Sequence, residues 1–148
     1  MIRAGMTGPF GPVTLVEQDG RLVGLEWRLP EEPGQSDLLT EALAQLADYF
    51  AGRLRRFDLP LDWGTGLNAD VRRAMAAIPW GETRTYGEIA RAVGAPAQAV
   101  GQACGANPLP ILIPCHRVTG TGWFGGFSAP GGVETKALLL RHEGALLI

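Results

Sequence analysis

The sequence predicts an α+β protein: a small N-terminal strand-and-helix domain over residues 1–64, then a mainly helical C-terminal domain over residues 65–148 that contains a helix-turn-helix. Three observations predict it. Two apolar, β-branched runs flank Asp19-Gly20 in the pattern of a tight hairpin. Leu39, Leu43, Leu46 and Phe50 recur at helical spacing. Thr85-Tyr86-Gly87-Glu88 has the Thr-x-x-Glu form of a capping box, Thr at the N-cap and Glu at N3.

Each element follows from local chemistry. The pattern from Pro12 to Trp27 reads as two hairpin strands on either side of Asp19-Gly20. After a loop from Pro30 to Gly34, Ser36 and Asp37 sit where an N-cap belongs, and the helix they open ends near Gly52. Phe57 to Leu61 reads as one more short strand. Residues 1–64 hold neither His nor Cys, so this part reads as structural. In the second part, Leu67, Val71, Ala74, Met75 and Ile78 share one helix face, stopped by Pro79. The capping box opens a short helix with Ile89, Ala90 and Val93 inward; Gly94 closes it, and Pro96 fits N1 of the next helix, which runs to Gly105. Two short helices joined by a tight glycine turn have the form of a helix-turn-helix, although most such pairs only pack. The outer face of the second helix is Ala97, Gln98, Gly101 and Gln102, with no Arg or Lys. That is a poor major-groove reader, whereas small side chains permit close approach to a minor groove or to a neighbouring helix.

Composition excludes several classes. Twelve Arg and one Lys face 15 carboxylates, for a formal charge of −2. The balance is uneven: 6 basic and 10 acidic side chains lie before residue 65, and 7 and 5 from there on, so a polyanion would meet the second half. Apolar runs fall far short of the roughly 20 residues that cross a bilayer, and the N-terminus lacks a signal-peptide pattern. Two cysteines build no disulfide scaffold. The chain reads as a soluble, cytoplasmic monomer.

The chemistry concentrates in Asn107-Pro108-Leu109-Pro110-Ile111-Leu112-Ile113-Pro114-Cys115-His116-Arg117-Val118, where an apolar segment delivers a cysteine between a proline and a histidine. A thiol is a strong nucleophile only as thiolate, and a neighbouring His with nearby cations is expected to lower its pKa from about 8.5 toward neutrality. Cys104 reads as a small buried hydrophobe. A zinc site from Cys104, Cys115, His116 and His142 is an alternative, but its spacing fits no standard ligand pattern.

Ile113-Pro114-Cys115-His116-Arg117-Val118, preceded by Asn107-Pro108 and by Thr85-Tyr86-Gly87-Glu88-Ile89-Ala90, closely resembles the O6-alkylguanine-DNA alkyltransferases, also called methylated-DNA–protein-cysteine methyltransferases. The likeness continues through Gly125-Gly126-Phe127-Ser128 and Lys136 to His142-Glu143-Gly144 and covers residues 67–148. It implies a DNA-repair protein that moves an alkyl group from O6 of guanine, and from O4 of alkylated thymine, to its own cysteine, irreversibly and once per molecule. The implied partner is double-stranded DNA containing alkylated guanine, with no cofactor, no metal and no membrane. By resemblance Cys115 is the alkyl acceptor, His116 takes its proton through a water, Glu143 orients the imidazole and Asn107 holds the turn before the acceptor. Tyr86 helps rotate the target nucleotide; Ala97, Gln98, Gly101 and Arg117 meet DNA; and Val118, Phe127 and Ser128 line or cap the base pocket. A base inside a duplex must leave the stack to be reached, which agrees with these roles. Gln98 stands where the family's recognition helix normally carries an arginine. That departure keeps two alternatives in view: a thiol acceptor for a small-molecule or non-duplex substrate, and a lesion-binding protein with impaired base flipping.

Overall fold

The computed structural model describes residues 1–122, 125–127 and 129–146. It is α+β, the class read from the sequence, and it divides into two compact units, residues 1–62 and 63–148.

The first unit is built on a three-stranded antiparallel sheet, β1 (Ile2–Gly8), β2 (Gly11–Gln18) and β3 (Arg21–Glu26), in that order. The β2–β3 turn places Asp19 at φ +53° and Gly20 at φ +76°, the left-handed pair that a two-residue hairpin with native twist requires. β1 has no counterpart in the sequence reading; it pairs with β2 from Ile2↔Glu17 to Gly8↔Gly11. Helix α1 (Asp37–Phe50) packs on β1 and β2. Ser36 caps it as expected, its hydroxyl accepting from the Leu39 N–H at 3.0 Å. Leu15, Leu22, Leu39, Leu46 and Tyr49 are fully buried between sheet and helix. The strand expected over Phe57 to Leu61 is reduced to a single parallel bridge, Leu22↔Leu61. One turn of pairing is all this segment makes: Leu22 donates to Pro60 O and accepts from Asp62 N, each at 2.9 Å.

In the second unit, α2 (Gly66–Ala76), α3 (Tyr86–Val93) and α4 (Ala97–Gly105) pack against one another. Val71, Met75, Ile89, Val100 and Ala103 form their shared core. Both arms of the capping box at α3 are made, Thr85 Oγ1 accepting from Glu88 N–H and Glu88 Oε1 accepting from Thr85 N–H. Gly94 ends α3 in the left-handed conformation. Pro96 is the N-cap of α4 and not its first helical residue: its ψ of 146° is extended, and only its carbonyl joins the helix, accepting from Val100 N–H. A buried apolar stretch, Leu109 to Ile113, leads to a 3₁₀ turn, Cys115–Arg117, and to β5 (Val118–Thr119). β5 pairs in parallel with β4 (Arg84–Thr85), which sets the start of α3 beside the end of the Cys-His-Arg turn. Helix α5 (Val133–His142) packs on that turn. Among the described residues, no helix is long and apolar enough to cross a membrane.

Thr85 both pairs with Thr119 and caps α3, so Thr85→Ala is expected to lower stability by about 1 kcal/mol. Urea unfolding at constant m-value checks this; an unmoved midpoint contradicts it.

Candidate active site

The site draws on the start of α3, on α4, on the Asn107–Arg117 segment, on the residues after β5 and on the C-terminal end of α5. Asn107 is 8% exposed and spans the reversal before the cysteine. Its Oδ1 accepts from Leu109 N–H at 3.1 Å and its Nδ2 donates to Ile113 O at 2.9 Å. Cys115 follows, half-buried, in the wall of a cavity of about 750 Å³. That volume lies in the range of small-molecule pockets.

Behind the cysteine lies a buried ionic network. Glu143, just past α5, is 2% exposed. Its Oε2 lies 2.7 Å from His116 Nε2 and 2.9 Å from Arg117 Nη2, and its Oε1 accepts from Arg117 Nε at 2.8 Å. Arg117 Nη1 completes its own set by donating to Ile78 O at 2.7 Å. A carboxylate this deep is tolerable only because it is fully paired; removing one partner of such a pair typically costs about 3–5 kcal/mol. Burial pushes the Glu143 carboxyl up, but hydrogen bonds from His116 and Arg117, and their charges, hold it at about 2. His116 is moved down, because burial disfavours the imidazolium more than Glu143 favours it. A neutral imidazole facing an ionised carboxylate carries its proton on Nε2, so Nδ1 keeps its lone pair. That Nδ1 is buried and has no hydrogen-bond partner among the described residues.

The thiol departs from the sequence expectation. Cys115 is pushed up from its ordinary value and not down, because desolvation outweighs the Asn107 hydrogen bond and the charge of Lys136. Adjacent cationic residues do not activate it directly, since the Arg117 charge is spent on Glu143. Cys104 lines the same cavity, with its Sγ 3.6 Å from Met75 Sδ. Burial and the nearby Cys115 push its thiol up to about 12, the behaviour of an inert small hydrophobe.

Of the residues singled out from sequence, Tyr86, Ala97, Gln98, Gly101, Cys115 and Phe127 share the cavity wall. His116, Glu143 and Asn107 stand behind it. Two placements differ from what the resemblance led one to expect. Arg117, expected at DNA, is 5% exposed and committed to Glu143 and Ile78 O; Val118, expected in the base pocket, is fully buried. Each is turned inward by the 3₁₀ turn and the β4–β5 pairing. Ser128 lies outside the described residues. Lys136, which the sequence reading left without a role, is a fully buried cation. Its Nζ donates to Val118 O at 2.6 Å and Gly126 O at 3.1 Å and sits 5.9 Å from the Tyr86 ring centroid. Burial lowers it to about 8, against the opposing charges of Cys115 and Cys104. Being the chain's single lysine was its one visible signal. Gly125, at φ +78°, closes against Tyr86, and any Cβ there would run into the phenol oxygen. Among the described residues, no group of three or more His, Cys, Asp or Glu side chains is arranged to hold a metal ion; the His142 ring meets Trp80 edge to face, with centroids 5.4 Å apart.

Comparison with known proteins places this geometry. The family described as 6-O-methylguanine DNA methyltransferase, DNA binding domain, matches residues 67–145. The companion family, 6-O-methylguanine DNA methyltransferase, ribonuclease-like domain, matches residues 1–63. The methylated-DNA–protein-cysteine methyltransferase of Mycobacterium tuberculosis is 43% identical, over 91% of this chain and 87% of that protein. The constitutive enzyme of that name from Bacillus subtilis is 39% identical, over 91% and 90%. The crystal structure of the Mycobacterium tuberculosis OGT in complex with DNA has a TM-score of 0.83 at 39% identity, covering 98% of this chain and 94% of that one.

His116 and Glu143 both bind protons more weakly in the folded chain than their ordinary values of 6.5 and 4.5. The unfolded chain therefore takes up protons first, and stability falls with falling pH. The loss is expected to begin near pH 6.5 and to continue through the carboxylate range toward about 2. Urea melts across a pH series check this; a flat profile from neutrality through the carboxylate range contradicts it.

Proposed function

Because the chain belongs to the 6-O-methylguanine DNA methyltransferase family, we propose that it repairs alkylated DNA by moving the alkyl group from guanine O6 irreversibly to its own Cys115, without a cofactor. The observation that carries this reading is the Cys115 thiol on the wall of a cavity of about 750 Å³, with a neutral, carboxylate-oriented imidazole behind it. Residues 65–148 bind the DNA and accept the alkyl group, while residues 1–64 are structural. The protein acts as a cytoplasmic monomer on duplex DNA that contains alkylated guanine.

The damaged nucleotide leaves the stack and enters the cavity; unstacking costs a few kcal/mol and is easiest for a damaged base. The small residues Ala97 and Gly101 let α4 approach the minor groove, and exposed Gln98 reaches toward the opened pair. Tyr86 turns the nucleotide, and Phe127 and Ser128 close over the base. At rest the thiol is protonated, because Cys115 is raised and His116 lowered. As the electrophile arrives, the thiol proton passes through a water to His116 Nδ1, and Glu143 stabilises the imidazolium that forms. The Cys115 sulfur attacks the alkyl carbon, the S–C bond forms and the C–O6 bond breaks. The electron pair stays with guanine, which takes up a proton and leaves as the unmodified base. Among the described residues no group of the site is placed to reverse a thioether, so each chain reacts once.

Incubation with duplex carrying O6-methylguanine is expected to raise the intact mass by one methylene unit, mapped to Cys115 and abolished by Cys115→Ser. A gain from the free base but not from DNA supports the small-molecule alternative, and no gain supports a lesion-binding protein; either contradicts the repair reading.

Gln98 lacks the charge and planar stacking face of a guanidinium. Gln98→Arg is expected to speed transfer from duplex by about tenfold, about 1.4 kcal/mol, with a much smaller effect on single strands, since only duplex demands extrusion. Single-turnover rates on both substrates decide this; equal acceleration contradicts the role given to the position.

A further inference from the structure

Immediately before Cys115 the backbone reverses in an unusual way. Leu109 to Ile113 forms a closed loop in which Ile113 N–H donates to Leu109 O at 2.8 Å. Asn107 ties both ends of that loop through Leu109 N–H and Ile113 O. At its apex Ile111 has φ +71°, and Leu112 N–H donates to Pro110 O at 2.9 Å across it. A positive φ with an i to i+2 hydrogen bond is the rare, strained form of the γ-turn. For a β-branched residue it is an outlier, because Cβ crowds the following carbonyl. Among the described residues, the other non-glycine at positive φ is Asp19, a residue type that tolerates a hairpin turn. Ile111 has no such excuse in its chemistry, and its side chain is 1% exposed.

A second turn follows at once. Pro114 has φ −79° and ψ 68°, and Cys115 N–H donates to Ile113 O at 2.8 Å, the relaxed inverse γ-turn. The Ile113 carbonyl thus accepts from Asn107 Nδ2 and from the Cys115 amide together. If Ile111 relaxed to negative φ, the peptide planes beyond it would rotate and this shared carbonyl would move. The Asn107 and Leu109–Ile113 hydrogen bonds hold the ends of the loop, and at its apex the buried side chain of Ile111 opposes relaxation.

We propose that Ile111 is a positioning residue for Cys115: its buried side chain holds a positive-φ γ-turn that sets the Ile113 carbonyl, and that carbonyl fixes where the thiol meets the cavity. The inference rests on Cys115 being the acceptor, and strain of this kind gathers where a reactive group must be held in one place.

Ile111→Val, Ile111→Ala and Ile111→Gly test it through two readouts on folded protein: the single-turnover rate of methyl transfer from duplex, and the pH profile of Cys115 alkylation by iodoacetamide. Valine keeps the anchor and is expected to stay within about twofold of the unsubstituted rate. Glycine loses the anchor but is at ease at positive φ, whereas alanine loses the anchor and keeps the penalty. Alanine is therefore expected to be slower than glycine by about fivefold or more, the ratio a left-handed penalty implies. Its iodoacetamide profile is expected to lie further from the unsubstituted one than glycine's does, displaced toward free cysteine. A residue that only filled the core would give the opposite order, because alanine keeps one more buried carbon; alanine matching or exceeding glycine overturns the proposal. If the unsubstituted protein takes no methyl from DNA, the repair reading fails, and the iodoacetamide order still decides the positioning role. Where a truncation does not fold, the one-bond Cα–Hα coupling of Ile111 in the unsubstituted protein reports the sign of φ. A positive sign with valine at the unsubstituted rate upholds the proposal, and a negative sign overturns it.

Discussion

One buried carboxylate organises the second unit. Glu143 accepts from His116 and from two nitrogens of Arg117, and Arg117 in turn reaches the Ile78 carbonyl just beyond α2. Because none of these charges can return to water, the geometry is over-determined: moving any one group strands the others in a low-dielectric interior. The same three residues join the end of α5, the 3₁₀ turn and the end of α2. The imidazole orientation is thus a by-product of how the unit is held together, and the cysteine, one residue earlier in the chain, inherits it.

That arrangement sets the chemistry by a balance of opposing effects. Burial keeps the thiol protonated and the imidazole neutral, so the resting protein does not carry an exposed thiolate that would react with every passing electrophile. The base is nonetheless aimed and polarised, which makes proton removal possible when a substrate excludes bulk water from the cavity. The two cysteines of the wall illustrate the difference. Desolvation raises both against the charge of Lys136; Cys104, beside a thioether, rises to about 12, and Cys115 is opposed as well by a hydrogen bond with Asn107. Lys136 also ties the Val118 and Gly126 carbonyls together, so one cation serves both the acceptor and the glycine segment facing it.

What the sequence made legible was local. The Asp19-Gly20 hairpin, the Ser36 cap and the Thr85–Glu88 box are each closed by residues within a few positions of one another, and each forms as read. The Cys-His pair was visible as chemistry in its own right, whereas Glu143 was visible only through the family likeness, since no periodicity links residues 116 and 143. Most of the features missed depend on distant partners, although the place of Pro96 at the N-cap of α4 is a local miss. Strand β1 has a weak pattern of its own and exists through its register with β2. The two-residue ladder of β4 and β5 joins segments more than 30 positions apart and leaves no periodic trace. The direction of the Cys115 shift was misread because neighbours in sequence are visible and desolvation is not. Arg117 was expected at DNA by resemblance, yet its guanidinium is buried against Glu143. The strained apex at Ile111 has no signature at all, since isoleucine is among the residues least expected there.

The central claim is that Cys115 keeps what it takes from guanine, and the most direct measurement follows the transferred carbon itself. With duplex carrying a ¹³C-labelled O6-methyl group in excess, carbon NMR is expected to follow the label from an aryl ether on DNA to a thioether on the protein, stopping at one equivalent per chain. Label that stays on the DNA, or that continues to leave it after every chain has reacted once, contradicts the account.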